Sequence, residues 1–497
     1  MNAMTRSMSL DKIAPQFGPI AENVLVTGLS SDSRMIEKDN LFVALRGYGR
    51  PGTDFARDAV KAGAAAVISD LPEVEALNLN VPVAHVPDLA ANLSDIAGEF
   101  YGHPSHSLDV IGITGTNGKT SCCFWLSWML NQLGTLSGHI GTLGAGMSPD
   151  TGFKSTGFTT PDPIQVQRLL SECLQHEARA VVMEVSSHGL DQGRVAAIRF
   201  EAALFTNLSQ DHLDYHADME SYLQAKLRLF RQVGLKRAIV NLDEQVSGRV
   251  LDELEPGVKA FGYSLTRQDT DLYFASIKPA AAAYLVEIAG TWGSLQLRLP
   301  VVGRYNLSNV LAVTATLLAR GFALAEIAPL LERLPSVPGR MQIIKGDTKE
   351  LPAAVVDYAH TPDAVSSALS ALREQTSGNL IVVLGCGGDR DRAKRPLMAQ
   401  KAVDQSDIQI FTSDNPRGED PKNILKEMQA GVSAAKTVRV IEDRAEAIET
   451  AINLATPDDL VAVLGKGHER FQIMGDQQIE FSDAAVCREA LERRLST

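Results

Sequence analysis

The segment Gly112-Ile-Thr-Gly115-Thr116-Asn117-Gly118-Lys119-Thr120 holds the strongest chemical signal in the chain. It lies between an apolar run, Leu108–Thr114, and an apolar helical stretch, Thr120–Leu133. A glycine-rich turn there offers backbone N–H groups, and a helix N-terminus adds positive potential, so phosphate oxygens suit both. Lys119 can reach the β- and γ-phosphates of a nucleotide, and the Thr120 hydroxyl can ligate Mg²⁺. The loop is a variant, because Ile113 stands where the strict phosphate-loop pattern has its first glycine, and Gly112 lies one residue further back. A plain glycine-rich turn with a surface lysine is the alternative; strand, loop, Lys-Thr and helix together argue against it.

Other clusters follow strand-like runs. Glu184 ends one such run, where α/β sheets collect ligands, so it is a candidate for holding Mg²⁺ directly or through water; for a lone carboxylate there, solvent is the favoured reading. The stretch Asn207–His216 is dense in metal-capable groups, with His212 a candidate ligand to a second divalent ion, although its spacing is unlike a zinc site and a polar loop is an equal reading. Lys226 falls on an amphipathic pattern, Met219–Arg231, where periodicity alone reads a snorkelling surface lysine. Further along, Asp357 and His360, then Gly385-Cys-Gly-Gly-Asp-Arg390, then Asp414-Asn415-Pro416-Arg417, and last Gly465-Lys-Gly-His-Glu469 each follow a strand-like run. Arg390 and Arg417 offer planar forks for a carboxylate or phosphate. A dinucleotide loop at Gly385 lacks the GxGxxG spacing. Polar clusters at four strand ends suggest one shared cleft facing the phosphate loop.

The elements that must carry these residues alternate. Residues 1–103 contain short strand-like runs (Asn23–Thr27, Leu41–Leu45, Ala64–Ile68) and a helix-like Phe55–Ala62, and Gly102–His106 reads as a linker. Residues 104–338 alternate strand and helix, which predicts a parallel sheet with crossover helices; a period of two between Asp271 and Leu299 adds antiparallel strands. Residues 339–497 repeat the alternation in a doubly wound pattern and end in a hairpin, Phe471–Met474 with Gln478–Phe481. The expected fold class is therefore α/β.

Composition bounds the function. At roughly 100–200 residues per domain, 497 residues suggest about three domains. Hydrophobic residues at 45% supply a normal core, and a formal charge of −13 excludes general binding of nucleic acid or anionic membrane. Five scattered cysteines without a CxxC pair read as reduced thiols. The N-terminus has no apolar stretch of a secretory signal and the chain no run of about 18 apolar residues, so a cytoplasmic protein without a membrane span is expected.

Taken together, these motifs resemble the Mur ligase family. The markers are GTNGKT (115–120), EVSSHGL (184–190), HLDYH (212–216), the Lys226 helix, GRYNLSN (303–309), PGRM (338–341), DYAHTPD (357–363), GCGGDRD (385–391), DNPR (414–417) and GKGHE (465–469), with SDSR (31–34) near the start. They fall in family order across nearly the whole chain. The resemblance implies three domains: a UDP-sugar-binding N-terminal one, a central phosphate-loop ATPase-like one, and a Rossmann-like C-terminal one that takes the amino acid. DNPR points to the branch that adds meso-diaminopimelate; the lysine-adding relatives lack its arginine. Folylpolyglutamate-type ligases and a phosphate-loop binding protein without ligation are the other readings, opposed by Arg417, SDSR and the amine-pocket motifs.

The resemblance further implies ATP as substrate, Mg²⁺ as cofactor, and transfer of the γ-phosphate to the D-glutamate carboxylate of UDP-N-acetylmuramoyl-L-alanyl-D-glutamate by a monomer. The acyl-phosphate is then attacked by the amine of meso-diaminopimelate. By family pattern, residues Gly115 to Thr120, Asn306, Arg340 and Asp357 serve ATP, and Thr120, Glu184 and His212 the metal. Lys119, His212, Lys226 and His360 are catalytic, with Lys226 carbamylated. Ser31, Ser33, Tyr48, Gly49, Arg50, Thr159, Thr160, Ser186, Gln192 and Arg194 match UDP-sugar contacts. Arg390, Asp414, Asn415, Pro416, Arg417, Gly465 and Glu469 match the diaminopimelate pocket. Phe158 stands where relatives often have Asn.

Overall fold

The computed structural model describes residues 7–13, 15, 24–47, 49–148, 152–280, 283–346, 348, 350–432 and 438–495. It is an α/β protein that divides into two compact units, Met1–Gly262 and Tyr263–Thr497.

The first unit contains a four-stranded parallel sheet and the parallel centre of a larger, mixed sheet. The smaller runs Gly28–Ser30, Asn40–Ala44, Ala66–Ser69 and Val83–His85. The predicted helix is here Ala56–Ala62, preceded by a 3-10 turn, Gly52–Phe55. The predicted strand from Asn23 begins outside the described residues; Leu25–Val26 pairs with Met8–Ser9. Gly102–His106 is not an open linker. Pro104 and Ser105 are buried, and Ser105 Oγ accepts from Arg199 N at 3.1 Å. The helix Leu89–Tyr101 packs on Pro163–Gln175, with Ile164 sharing a core with Leu93, Ala97 and Phe100. This packing puts residues 1–103 and the following sheet in one unit.

In the parallel centre of the larger sheet the spatial order is Ser137–Gly141, Ala180–Glu184, Asp109–Thr114, Phe200–Phe205, Arg237–Asn241. Asp109–Thr114 is buried on both faces, as a central parallel strand requires. Its neighbours run parallel, with Glu184 beside Ile113 and Phe205 beside Thr114. The register sets two strand ends on either side of the phosphate loop. The helix after the loop, Lys119–Gln132, is buried through most of its length. The helix bearing Lys226 ends at Leu227 rather than Arg231, and Leu229 and Phe230 continue as tighter turns to Lys226 O and Leu227 O.

The second unit opens with an antiparallel meander, Leu272–Ala280, Ala283–Gly290 and Gly293–Leu299, matching the change of period in the sequence. Its main sheet has the order Gln342–Lys345, Ala353–Asp357, Leu460–Leu464, Leu380–Cys386, Ile408–Ser413, Arg439–Val440, parallel except for the first strand. Helices cover both faces over two apolar cores. All five cysteines are buried and free. Among the described residues no helix is long and apolar enough to cross a membrane.

Candidate active site

The phosphate loop is held from behind by the end of strand Phe200–Phe205. Asn207 O accepts from Thr116 N at 2.9 Å, Asn207 Oδ1 accepts from Asn117 N at 2.8 Å, and the Thr206 hydroxyl donates to Asn117 O at 2.6 Å. Gly115 has φ +146, and a Cβ there would collide with Thr206 Oγ1. Glycine is therefore required. Lys119 Nζ donates to Gly115 O and Thr116 O, both at 2.8 Å, so its ammonium is folded over the loop that would hold the phosphates.

On the other side, Glu184 is fully buried. Its carboxylate accepts from Thr120 Oγ1 at 3.0 Å and from Thr142 N at 2.7 Å. Hydroxyl and carboxylate oxygens side by side form a hard-donor pair that suits Mg²⁺, an ion usually held by one or two carboxylates plus substrate phosphates. His212 is exposed, has φ +54, and lies edge-on to His188 at 4.9 Å. No group of three or more His, Cys, Asp or Glu side chains among the described residues forms a metal cage.

Lys226 is not a surface residue. It is 1% exposed, its Nζ donates to Gly115 O at 2.8 Å and lies 4.2 Å from the Tyr222 ring centroid. Burial, then the like charge of Lys119, pushes its ammonium well below the usual range. The shift favours the unprotonated amine, the form that can add CO₂.

The central-domain residues expected to meet the UDP-sugar are linked by hydrogen bonds. Thr160 Oγ1 donates to Glu184 O at 3.0 Å and accepts from Ser186 N at 2.9 Å. Arg194 donates to Thr160 O at 2.6 Å and to Gln192 Oε1 at 2.7 Å, and Gln192 donates to the Tyr215 hydroxyl. Thr159 and Thr142 share a hydroxyl contact at 3.0 Å. The exposed Phe158 ring lies 5.4 Å from the Arg194 guanidinium, so it offers a cation–π platform. Ser33 opens a 3-10 turn, Ser33–Met35, capped by Asp32, whose carboxylate also pairs with Arg34; Ser31 precedes the cap. Tyr48 lies outside the described residues; Arg50 is exposed and pairs with Asp54 at 3.1 Å.

In the second unit the sheet order brings four strand ends along one edge. Asp357 accepts from Met341 N at 2.7 Å and Ala359 N at 2.9 Å, and burial pushes its carboxyl up. Arg340 lies 4.8 Å from the Tyr358 ring, and His360 is exposed beside Tyr358 O. Asn306 is buried, its amide donating to Val302 O at 2.8 Å and accepting from Asn309.

The turn Asp414–Arg417 is braced on two sides. Gly388 N donates to Asn415 O, and Arg417 Nη1 donates to Gly388 O at 2.8 Å; a Cβ at Gly388 would collide with Pro416 O. Gly387 also lies beside both Arg417 and Arg390. Opposite, the hairpin Phe471–Met474 with Gln477–Glu480 straps the turn. Gln472 donates to Asp414 O at 2.7 Å, Ile473 N to Asn415 Oδ1 at 2.9 Å, Arg417 N to Ile473 O at 3.0 Å, and Gly475 N to Arg417 O at 2.7 Å. These bonds hold Arg417 at φ +51, a conformation costly for a non-glycine residue. Gly465 approaches Asp414, and Glu469 Oε2 accepts from Asn415 Nδ2 at 2.7 Å.

Sequence reasoning missed Thr142, Thr206, Tyr222 and the strap. Thr142 and Thr206 directly follow strands, a position that could have flagged them. The hairpin was legible, but its partner was not.

A variant phosphate loop with a lysine, a hydroxyl and a buried carboxylate on a parallel sheet defines a nucleoside-triphosphate-using α/β enzyme. Family models match three segments in turn: Mur ligase family, catalytic domain, over residues 25–101; Mur ligase middle domain over 113–317; and Mur ligase, glutamate ligase domain over 339–467. A UDP-N-acetylmuramoyl-L-alanyl-D-glutamate–2,6-diaminopimelate ligase of Coxiella burnetii is 41% identical over 95% of this chain and 97% of its own. One of the same name from Geobacillus thermodenitrificans is 42% identical over 94% of this chain and 95% of its own. A solved structure of a ligase of that name has TM-score 0.71 at 34% identity, covering 99% of this chain and 100% of that one. A MurF ligase from Thermotoga maritima in complex with ADP shares the fold, with TM-score 0.64 at 16% identity over 94% of this chain and 98% of its own. The chain belongs to the Mur ligase family of ATP-dependent, amide-bond-forming enzymes of peptidoglycan synthesis.

Proposed function

We propose that this chain joins meso-diaminopimelate to the D-glutamate carboxylate of UDP-N-acetylmuramoyl-L-alanyl-D-glutamate at the expense of ATP. The observation that supports this most directly is the braced Asp414–Arg417 turn, in a chain 41% identical over nearly its full length to a ligase named for that reaction.

A carboxylate oxygen is a poor leaving group. Transfer of the γ-phosphoryl group to it, with release of ADP, makes an acyl-phosphate whose phosphate leaves readily. The unprotonated amine of the amino acid then attacks the acyl carbon, and phosphate departs as the amide forms. Both steps gather negative charge on oxygen, so preorganised cations and N–H donors are what this chemistry needs. Lys119 and the 115–120 loop would take the β- and γ-phosphates. Thr120 and Glu184 would hold Mg²⁺, which supplies charge neutralisation on the phosphates; His212 would serve a second ion. Lys226, carbamylated, would become an anion. Asn306, Arg340, Asp357 and His360 would contact nucleotide and reacting groups. Thr159, Thr160, Ser186, Gln192 and Arg194, with Ser31, Ser33, Tyr48, Gly49 and Arg50, would bind the UDP-sugar. Arg417 would pair with the distal carboxylate that lysine lacks, with Arg390, Asp414, Asn415, Pro416, Gly465 and Glu469 completing the pocket. One domain per substrate, 1–103, 104–338 and 339–497, in a cytoplasmic monomer, completes the reading; the three matched segments support the division.

The test is ADP release with the UDP-muramoyl-dipeptide, adding candidate amino acids in turn. Turnover that requires meso-diaminopimelate is expected. ADP release without any dependence on an amine would overturn the proposal.

A further inference from the structure

Lys466 is a buried, fully hydrogen-bonded cation behind the proposed amino-acid pocket. It is 0% exposed. Its Nζ donates to Asn415 Oδ1 at 2.9 Å, to Glu469 Oε2 at 3.0 Å and to Phe471 O at 2.8 Å. An ammonium has three protons, and three acceptors are present. A buried cation without such partners would be strongly unfavourable.

The three acceptors belong to three separate pieces. Asn415 is in the Asp414–Arg417 turn, Glu469 ends the GKGHE segment, and Phe471 begins the strap hairpin. Lys466 bolts them together. It also fixes chemistry. The Asn415 amide has two ends that differ in hydrogen bonding. Its oxygen faces the Lys466 ammonium and Ile473 N, both donors, and its nitrogen faces the Glu469 carboxylate at 2.7 Å. Only one orientation of the amide satisfies all three neighbours. Glu469 Oε2 in turn is shared by Asn415 and Lys466, which sets where the carboxylate stands. The Glu469 side chain stays 31% exposed, so it faces both the bolt and incoming solute.

We propose that Lys466 is a positioning residue for amino-acid recognition. It orients the Asn415 amide and holds the Glu469 carboxylate where an α-ammonium or α-carboxylate of a diamino acid substrate meets them. Lys466 itself touches no substrate, because nothing of it is open to solvent. The proposal rests on the reading of Asn415 and Glu469 as pocket residues.

Steady-state kinetics of Lys466→Met, in the full chain with all three substrates varied, test it. The KM for meso-diaminopimelate should rise at least tenfold while kcat changes less than about threefold and the KM values for ATP and the UDP-dipeptide stay put. In a cycle with Glu469→Gln, the double variant should be no worse than the poorer single variant, since both break one unit. A loss spread equally over all three KM values, or a fall in kcat with the amino-acid KM unchanged, overturns the proposal. If Lys466→Met fails to give a cooperative thermal transition, Lys466→Gln decides: it keeps a donor but cannot serve three acceptors. A selective rise in the amino-acid KM supports the proposal, and an unchanged KM overturns it. Glu469→Gln alone checks the underlying reading. If that variant leaves the amino-acid KM untouched, the pocket is misassigned; if it raises the KM and the Lys466 variants do not, only Lys466 is.

Discussion

Two lysines meet at one carbonyl. Lys119 and Lys226 both donate to Gly115 O at 2.8 Å, and each makes the other's charge more costly. Lys226 is the one that yields, because it is buried. Carbamylation, in which the unprotonated amine adds CO₂, would replace a repelled cation by an anion there. Lys226→Ala should therefore lose most activity and regain part of it when short carboxylic acids are added to the assay; no rescue at any concentration would count against the carbamate. At the other end of the reaction, Arg417→Ala should raise the KM for meso-diaminopimelate selectively. Loss of a desolvated charge pair costs about 2–5 kcal/mol, or roughly thirtyfold and upward. An unchanged KM would remove Arg417 from that role.

Elements explain why some of this could be read from letters and some could not. The strand, loop and helix around Lys119 were legible because local pattern and chemistry coincide there. The four polar strand ends of the second sheet were legible for the same reason: each follows an apolar run. Lys226 was the opposite case. Its helix is amphipathic by spacing, so burial against the loop of another element depends on tertiary packing that periodicity does not encode. Gly102–His106 shows the same limit, since its linker-like letters sit in a pinned turn. The strap hairpin was visible as a hairpin, but its bonds to Asp414, Asn415 and Arg417 join residues more than fifty apart in sequence. The phosphate loop itself offers an element-scale prediction. Gly115→Ala should abolish amino-acid-dependent ADP release, because the new methyl collides with Thr206 in a left-handed backbone. Measured ATP binding should fall with it, whereas wild-type ATP binding would contradict the loop's role.

At the scale of the molecule, buried histidines couple folding to acid. Burial lowers His139 to about 3, and burial with the Arg340 charge lowers His468 to about 4. Both folded values lie below the ordinary 6.5, so between pH 6.5 and the folded values the unfolded chain binds protons that the folded chain does not. Stability must then fall as pH drops. Carboxylates such as Glu419, held down to about 2 chiefly by Arg395, add their loss only below the ordinary carboxylate value of 4.5. Urea midpoints should thus already decline between pH 6.5 and 5, and His468→Gln should flatten that slope. A flat midpoint over this window in the parent chain would contradict the assignment. The net charge of −13 fits the same molecule: it deters nucleic acid, while under the proposed function small anions would meet Lys119, Arg194, Arg390 and Arg417 locally.

The identity of the amino acid that is joined separates this reading from its alternatives. The most direct measurement offers meso-diaminopimelate and L-lysine at equal concentration with ATP, Mg²⁺ and UDP-N-acetylmuramoyl-L-alanyl-D-glutamate, and weighs the product by mass spectrometry. The diaminopimelate adduct is expected, with essentially no lysine adduct. A predominant lysine adduct, or ADP formed with no adduct, would contradict this reading.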